Sequence, residues 1–237
     1  MLLIEDLGIK RGVGADSLMI SLPRLALHRG EIAAITGASG SGKSTLLEMI
    51  GLVLRPERLG TYRLATEQPL DIARLLREDR HGLLADIRAQ RLGFVLQTGG
   101  LLPFLRVRQN IDLPRRMLGL PRESELVETA IERLGLSHLL RKWPAQLSIG
   151  ERQRVSFVRA IAHQPALLLA DEPTAALDPI QARKLFELIL ELVQRFQIAA
   201  LLVTHDWDLV RDCGVRNIVG RPTTDADCAG TVFHESA

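Results

Sequence analysis

Residues 31–45 read Glu-Ile-Ala-Ala-Ile-Thr-Gly-Ala-Ser-Gly-Ser-Gly-Lys-Ser-Thr, and this stretch decides the fold. Its first five residues form a run without polar alternation, which is typical of a parallel strand buried on both faces. A G-x-x-x-x-G-K-[ST] segment follows at 37–44, and leucine and isoleucine then recur at helical spacing. Strand, loop and helix in this order favour a nucleotide-binding P-loop over a glycine-rich turn that carries an incidental lysine.

A strand that ends in such a loop directs several backbone N–H groups and the positive end of the next helix to one place, which suits a polyphosphate. We expect Lys43 to reach the β- and γ-phosphates of a nucleotide and the Ser44 hydroxyl to hold Mg²⁺. The residues predicted to bind the nucleotide here are Gly37, Ala38, Ser39, Gly40, Ser41, Gly42, Lys43, Ser44 and Thr45. The motif alone does not say which class of NTPase carries it.

The composition narrows the classes of partner. A chain of 237 residues suits one large domain or a core with one inserted subdomain. Lys and Arg number 30 against 28 Asp and Glu, so the net charge is only +2 and we expect no nucleic-acid partner. The N-terminus lacks the basic flank of a signal peptide, and the apolar runs are far shorter than a membrane span. We therefore expect any membrane role to come through a partner.

The regions before and after the P-loop predict a β flank and a less regular segment. Short apolar stretches at 2–4 and 18–22, joined by a glycine-containing turn, predict an antiparallel flank. Residues 53–91 combine a candidate strand at 61–64 with a highly charged stretch at 74–91, and we expect irregular structure and short helices there.

The rest of the chain predicts a helical insertion within an α/β core. Residues 108–140 show helical periodicity, which we expect prolines 114 and 121 to break. A strand-like segment precedes this insertion at 93–97. Continuous apolar runs follow it at 166–170 and 199–203, with a helix-like segment at 181–196 between them, which is βαβ order.

Two carboxylates end one of these apolar runs. Residues 167–172 read Leu-Leu-Leu-Ala-Asp-Glu, which places Asp171 and Glu172 at the sheet edge where open α/β folds bind ligands. Asp171 suits Mg²⁺, and Glu172 is placed to polarise a water against a γ-phosphate. An acidic pair that merely ends a strand is a common alternative, but the upstream P-loop favours the chemical role.

A second helix N-terminus occurs in Leu-Ser-Ile-Gly-Glu-Arg-Gln at 147–153, which we name the signature segment. Ser148 and Glu151 have the S-x-x-E spacing of a capping box, and this structural interpretation is complete in itself. The functional interpretation adds that the Ser148 hydroxyl, the Gly150 amide and the helix N-terminus form a second phosphate cradle.

Together these motifs resemble the ATP-binding cassette (ABC) ATPases, over roughly residues 3–208. The resemblance implies that Gln97, Glu172 and His205 are catalytic, as the Q-loop glutamine, the base and the switch histidine. It also implies that Ser148, Gly150 and Asp178 bind nucleotide across the interface with a second copy. The metal ligands that it implies are Ser44, Gln97 and Asp171.

The resemblance implies an α/β fold with a P-loop NTPase (RecA-like) core, a mainly parallel sheet, an antiparallel β flank and an inserted α-helical subdomain. Residues 1–237 are expected to form a single ABC ATPase domain. Its core spans 1–97 and 161–237, and its helical signature subdomain spans 98–160. The cofactors implied are ATP and Mg²⁺.

The family further implies an ATPase that forms a homodimer around two MgATP and drives a separate integral membrane permease. It would lie at the cytoplasmic face of the inner membrane, held there by the permease. Gly-Phe-Val-Leu-Gln at 93–97, followed by Leu-Leu-Pro-Phe-Leu at 101–105, is similar to the lipoprotein-releasing and macrolide-exporting type. Residues 101–105 either line a groove for the permease or pack inside the helical subdomain. The alternative function is a soluble ABC-type ATPase or a nucleotide-dependent regulatory switch.

Three departures from the family pattern stand out. Ile149 replaces the first glycine of the usual signature, and we expect activity to survive because Ser148 and Gly150 remain. Arg11 falls near the place of the aromatic residue that stacks on adenine, where it either stacks on the base or is a solvated surface residue. The tail from Cys213 onward does not match the closing hairpin of the family.

Overall fold

The computed structural model of the chain describes residues 2–12, 17–65, 69–225 and 228–236. The strands are β1 (Leu2–Arg11), β2 (Leu18–Leu27), β3 (Ile32–Thr36), β4 (Thr61–Ala65), β5 (Pro69–Asp71), β6 (Leu92–Val95), β7 (Leu167–Asp171), β8 (Ala199–Val203), β9 (Arg216–Asp225) and β10 (Cys228–Glu235). The α-helices are α1 (Lys43–Ile50), α2 (Ile72–Arg77), α3 (His81–Arg91), α4 (Val107–Met117), α5 (Glu125–Arg133), α6 (Ile149–Ile161), α7 (Pro179–Arg195) and α8 (Trp207–Asp212). Short 3-10 helices at Ser137–Leu139 and Pro144–Gln146 link α5 to α6.

The strands form one sheet in the order β5-β4-β1-β2-β10-β9-β3-β8-β7-β6. From β9 to β6 every neighbouring pair is parallel. At the other end β1 pairs with β2 and β4, and β4 with β5, all antiparallel. The predicted α/β fold with a largely parallel core sheet and an antiparallel flank is confirmed.

Side-chain alternation along the central strands produces a separate core on each face of the sheet. In β8, Leu201 and Val203 pack with α1 to α3 and the flank strands. Ala200 and Leu202 pack on the opposite face, with α4 to α7. Because both faces are covered, the strand is apolar throughout, which explains why the runs at 166–170 and 199–203 were predictable.

The predicted break at Pro114 is wrong, because α4 continues through it to Met117. Val107 and Ile111, before the proline, are fully buried and fix the helix in the core. Proline removes one backbone donor, and only three residues of helix follow it, so little of the helix depends on that hydrogen bond. The break expected at Pro121 is present, since α5 begins at Glu125.

Residues 53–91 contain the short helices that the sequence predicts. The candidate strand at 61–64 is confirmed as β4, and the helices are α2 and α3. The charged stretch contains the end of α2 and all of α3. Only Leu84 and Ile87 of α3 are buried, so its charges are the solvated side of a surface helix.

The expectation that the tail departs from a closing hairpin is also wrong. Strands β9 and β10 pair antiparallel, and β10 pairs in parallel with β2. Pro222 lies within β9 but beyond Arg216–Val219, the part that pairs with β3, so its missing N–H breaks no bond to β3. The hairpin therefore connects the antiparallel flank to the parallel core.

The division of the chain into a core and a helical subdomain at residues 97 and 161 stays a prediction. No α-helix of the described residues is long and apolar enough to cross a membrane.

Candidate active site

The P-loop lies at the carboxyl end of β3, between β9 and β8 in the sheet. Helix α1 begins at Lys43, and Gly42 before it has a φ of 91°, in the left-handed region that glycine adopts at low cost. A Cβ at Gly42 would lie 2.5 Å from Ile20 Cδ1 on β2. Backbone conformation and close packing therefore both require glycine here.

Polar groups of the loop are arranged as an anion site. The side chain of Lys43 is only 6% exposed, and its Nζ donates to the carbonyl oxygens of Gly37 at 3.1 Å and Ala38 at 2.9 Å. Burial lowers the pKa of Lys43, while the neighbouring carboxylates of Glu172 and Asp171 act to raise that pKa. Helix α1 has no side-chain cap and no acidic residue in its first turn, so its N-terminal amides remain available for an anion.

The loop also contains a buried hydroxyl without a partner and open space. Ser41 Oγ is buried and makes no hydrogen bond within the part of the chain that the structure describes. Gly40 has a φ of 75°, and a Cβ there would meet nothing within 4 Å. A cradle with an unpartnered donor and room beside it fits a phosphate group.

The oxygen ligands at hand suit Mg²⁺ held mainly by a nucleotide. Asp171 is the last residue of β7, and its charge acts on Lys43 at the start of α1, next to Ser44. Within the described residues no group of three His, Cys, Asp or Glu side chains could hold a metal alone. One carboxylate with a hydroxyl and an amide oxygen is the kind of partial set that Mg²⁺ completes with phosphates and water.

Glu172 connects the ends of three neighbouring strands. Its side chain is 15% exposed, its Oε1 lies 2.5 Å from Nε2 of His205, and its Oε2 accepts a hydrogen bond from Nε2 of Gln97 at 3.3 Å. Gln97 follows β6, Glu172 follows β7 and His205 follows β8. The three predicted catalytic side chains are therefore in contact although they lie far apart in sequence.

The backbone at Glu172 is itself unusual. Its φ is 49°, a left-handed conformation that is uncommon for a residue other than glycine. The N–H of Glu172 donates to the carbonyl of Val203 at 2.9 Å, which fixes the turn against β8. A cavity of about 420 Å³ lies beside this turn, lined by both Glu172 and His205. Strained backbone next to a cavity is typical of a functional site.

The three residues expected to act across a dimer lie outside this cluster. Ser148 Oγ accepts from the N–H of Glu151 at 3.2 Å, and Glu151 Oε2 accepts from the N–H of Ser148 at 2.6 Å, so the capping box is complete. Asp178 caps α7 by accepting from the N–H groups of Ile180 and Gln181. No hydrogen bond or ion pair among the described residues joins Ser148, Gly150 or Asp178 to the P-loop of the same chain.

Gly150 brings the signature segment close to the turn before α7. A Cβ at Gly150 would lie 2.6 Å from Leu177 Cδ2, so the Leu177 side chain would have to shift. Ile149, beside it, is 53% exposed. Arg11 ends β1 with an exposed side chain, and residues 13–16 lie outside the described residues.

Sequence analysis missed the contacts that support the loop after Gln97. Ser156 Oγ donates to the carbonyl of Gly99 at 2.7 Å, and the Arg159 guanidinium donates to the carbonyls of Gly99 and Gly100. Both side chains lie on α6. A serine and an arginine inside a helix carry no sequence signal for this role, because their partners are backbone groups about sixty residues away.

The comparisons with known proteins agree with this geometry. The family model "ABC transporter" matches residues 22–175. The "Lipoprotein-releasing system ATP-binding protein LolD 1" of Rhodospirillum rubrum is 43% identical over 79% of this chain and 80% of its own length. The macrolide export ATP-binding/permease protein MacB of Shigella flexneri is 38% identical over 86% of this chain, which matches 31% of MacB.

A solved structure is similar over nearly the whole chain. The dimeric cassette MJ0796, in a post-hydrolysis state with ADP and Pi, has a TM-score of 0.72 and 29% sequence identity. The match covers 92% of this chain and 94% of the cassette.

Proposed function

The chain belongs to the ABC transporter family, and on that premise we propose that it is the ATP-hydrolysing subunit of a transporter of the lipoprotein-releasing or macrolide-exporting type. Relatives of both types support the subclass. The observation that carries the proposal is the contact of Gln97, His205 and Glu172, with the charge of Glu172 acting on the P-loop lysine. Binding and hydrolysis of ATP are therefore located at one edge of the sheet.

The P-loop binds the triphosphate. Its backbone amides and the Lys43 ammonium donate hydrogen bonds to the β- and γ-phosphate oxygens, in place of the two loop carbonyls that accept from Lys43. Ser44, Gln97 and Asp171 would hold Mg²⁺, which would supply positive charge against the charge that develops on the phosphates. The Gln97 amide nitrogen faces Glu172, so its carbonyl oxygen is the atom left for the metal.

Glu172 accepts the proton of the attacking water. Its carboxylate is fixed from two sides, by the Gln97 amide and by the His205 ring, so it needs little rearrangement to orient a water. The Nε2–H group of His205 donates a hydrogen bond first to the Glu172 carboxylate and then to a γ-phosphate oxygen. This keeps the water, the base and the phosphate aligned. The subunit therefore promotes hydrolysis mainly by positioning the water and the γ-phosphate, with Glu172 as the one proton acceptor.

A second copy completes each site. Ser148 and Gly150 bind the γ-phosphate held by the partner subunit's P-loop, and Asp178 links the two sites across the interface. The dimeric cassette MJ0796, with ADP and Pi, supports this arrangement. The capping role of Ser148 is compatible with it, because a hydroxyl that accepts from Glu151 N–H can still donate its own proton to a phosphate oxygen.

A groove of about 290 Å³ is the surface that we assign to the permease. It is lined mainly by apolar side chains of α3, β6, α4 and α6, including Phe94, Leu113 and Met117, with Leu102 beside them and Arg88 and Arg159 among its polar residues. Of the stretch 101–105, Leu101 packs against the core and Leu102 lines this groove. Through this contact the subunit lies peripherally on the cytoplasmic face of the inner membrane.

The groove can be tested apart from catalysis. Met117 is 74% exposed at the groove, and Met117→Glu should weaken co-purification with the permease while the ATPase rate of the isolated subunit is unchanged. The matched control is Val53→Glu, which introduces the same charge at an apolar residue that is 64% exposed and outside the groove lining. Equal co-purification of both variants would argue against this groove.

The first experiment on the active site is the molar mass of the Glu172→Gln protein by light scattering, with and without MgATP. The amide keeps the shape of the side chain but cannot accept the proton, so ATP should bind, persist and hold two subunits together. The matched control, Glu172→Gln with Lys43→Met, should stay monomeric. Steady-state hydrolysis at the parent rate by Glu172→Gln would mean that the base lies elsewhere.

A further inference from the structure

The basic residues of the chain are concentrated in one region. Residues 98–160, which include α4, α5 and most of α6, contain eleven Lys and Arg against six Asp and Glu. Their net charge is therefore +5, whereas the net charge of the whole chain is only +2. A partner of negative charge is attracted to such a region more strongly than to the rest of the surface.

Part of this positive charge is not balanced by carboxylates. Within the region, Asp112 is paired with Arg108, whose Nε lies 3.0 Å from its carboxylate. By contrast, no carboxylate of the residues that the structure describes lies within 4.0 Å of the cationic groups of Arg106, Arg141 or Lys142. The first two of these side chains are exposed and the third is half-buried. Their charges therefore remain available to a partner outside the chain.

Two neighbouring segments bring these three cations together around an aromatic ring. The N–H of Val107 donates to the carbonyl of Lys142 at 3.0 Å, which joins the start of α4 to the segment before the 3-10 helix at Pro144–Gln146. The Arg106 guanidinium donates to the carbonyl of Arg141 at 2.7 Å and lies 5.0 Å from the centre of the Trp143 ring. The Trp143 side chain is still 40% exposed. An amphipathic ring thus lies within a cluster of unpaired cations.

A fixed turn adds a second aromatic side chain. Phe104 is 69% exposed and lies in a turn closed by the Leu105 N–H, which donates to the carbonyl of Leu102. The fully buried Asn110 holds this turn. Its side-chain carbonyl accepts from the Leu102 N–H at 2.8 Å, and its amide nitrogen donates to the carbonyls of Leu102 and Leu105 at 3.1 and 2.9 Å. The fold therefore holds the phenylalanine outward on a well-bonded backbone.

Exposed aromatic rings among unpaired cations are the side chains that bind an anionic lipid surface. Tryptophan and phenylalanine insert at the level of the headgroups, where apolar and polar atoms both find partners. Each Lys or Arg close to a negatively charged leaflet strengthens binding by about fivefold. An acidic protein segment would also attract the cations, but a ring that protrudes from a turn suits a deformable lipid surface better than a rigid partner.

We propose that a second surface of the subunit binds anionic lipid headgroups directly, through Phe104, Arg106, Arg141, Lys142 and Trp143, which we name the Trp143 patch. The turn that carries Phe104 begins at Leu102, which lines the groove assigned to the permease, so the patch continues from that groove. The cations attract the leaflet, and the two rings insert between headgroups. The location beside a permease rests on the proposed function, whereas lipid binding itself needs no ATP, second subunit or permease.

The experiment measures how much of the subunit sediments with lipid vesicles. Vesicles of equal parts phosphatidylglycerol and phosphatidylcholine are compared with vesicles of phosphatidylcholine alone. Because three unpaired cations contribute, we expect the parent protein to bind the anionic vesicles at least about tenfold more tightly. The difference should shrink at ~1 M salt, where charges are screened over ~3 Å.

Removal of two cations tests the patch itself. Arg141→Gln with Lys142→Gln should weaken binding to the anionic vesicles by roughly tenfold or more, since each charge contributes about fivefold. The matched control, Arg29→Gln with Lys184→Gln, removes the same charge at exposed residues outside the patch and should bind like the parent.

Removal of the protruding ring tests the apolar part without changing any charge. Phe104→Ser should weaken binding to the anionic vesicles by at least about threefold, because less apolar surface is buried in the headgroup region. Val53→Ser is the control, since Val53 is 64% exposed outside the patch. The high exposure of Phe104 makes this variant informative even if the double charge variant folds poorly.

Equal binding of the parent to both kinds of vesicle would overturn the proposal, and so would equal losses in the double charge variant and its control. A parent that does not bind anionic vesicles would also overturn it. In that case, weaker co-purification of the double charge variant with the permease would identify the patch as a protein contact. None of these results concerns ATP hydrolysis, so the proposed function would stand.

Discussion

The P-loop and the signature segment are both helix N-termini, yet they satisfy their backbone donors in opposite ways. Helix α1 starts after a left-handed glycine and has no side-chain cap. Helix α6 starts after Ser148, whose hydroxyl and whose N–H are both bonded to Glu151. The N-terminal backbone donors of α1 therefore remain available for a ligand, whereas the N-terminus of α6 is capped by side chains of the same chain.

This difference explains what each segment can do alone. The P-loop has a buried lysine, an unpartnered serine hydroxyl and open space, which together suit an anion within one subunit. The signature segment is a capped helix, and in the proposed dimer it meets a phosphate only when a second copy brings one. A helix N-terminus without a side-chain cap can form a binding site within one subunit. A capped helix N-terminus contributes to a binding site only after two subunits assemble.

The largest effect should come from Lys43→Met in the P-loop. We expect turnover to fall by about 10²- to 10³-fold, the usual effect of removing one preorganised donor to developing charge. Phosphate release at saturating ATP measures it, and Lys184→Met, a surface lysine of α7, is the control. Turnover near the parent rate would contradict the contrast between the P-loop and the signature segment, because the P-loop would then not depend on its buried lysine.

Ser148→Arg should separate the two roles of the signature segment. Turnover should fall by about tenfold or more because the long side chain blocks approach of the partner's phosphate. The free energy of unfolding should fall by about 1 kcal/mol because the cap is lost. Ser148→Thr keeps a capping hydroxyl and serves as the control for stability in urea titrations. Unchanged turnover by Ser148→Arg would argue against any shared site.

Substitutions of two P-loop glycines test the comparison through the free energy of unfolding. Gly42→Ala forces a side chain into a left-handed conformation and against Ile20, so we expect a loss of about 1–3 kcal/mol in unfolding free energy. Gly40→Ala shares the strain but meets no neighbour, and its loss should be smaller. Urea denaturation of both proteins decides the order, and equal losses would show that packing against β2 is unimportant.

The smallest effect should come from Glu151→Gln. The hydrogen bond from the Ser148 N–H lowers the pKa of Glu151, so the ionised carboxylate stabilises the fold. That contribution is complete above the ordinary glutamate pKa and is lost as pH falls through the lower folded value. At pH 7 the variant should be less stable by a few tenths of a kcal/mol, and the difference should shrink below pH 4. A difference in melting temperature that does not change with pH would contradict this.

Much of the core and of the candidate site was predictable, because its residues are tied to sheet geometry. Runs such as 166–170 and 199–203 are apolar throughout since both faces are covered, and Glu172, the proposed base, follows the first of them. The resemblance to ABC ATPases is confirmed by the family comparison. A phosphate cradle at Ser148 was one of two interpretations of its segment, since its local bonds already explain the serine, and its role across a dimer came only from the resemblance.

The missed features depend on partners distant in sequence. Strand β9 is polar and contains Pro222, so nothing local marks it, and it forms because β3 and β10 flank it. Helix α4 passes Pro114 because tertiary burial of residues before the proline outweighs the lost donor. Arg159 donates to backbone carbonyls of the loop after Gln97, and a sequence carries no signal for contacts with backbone carbonyls.

The position of the C-terminal hairpin in the sheet also has a consequence for biosynthesis. Strand β2 ends at Leu27, but its neighbour β10, and β9 that joins β10 to β3, are translated only from Arg216 onward. At ~5–20 residues per second the ribosome needs roughly 10 to 40 s to cover that interval. During this time one edge of β2 is without its native partner, and an unpaired strand edge is a template for pairing with another chain.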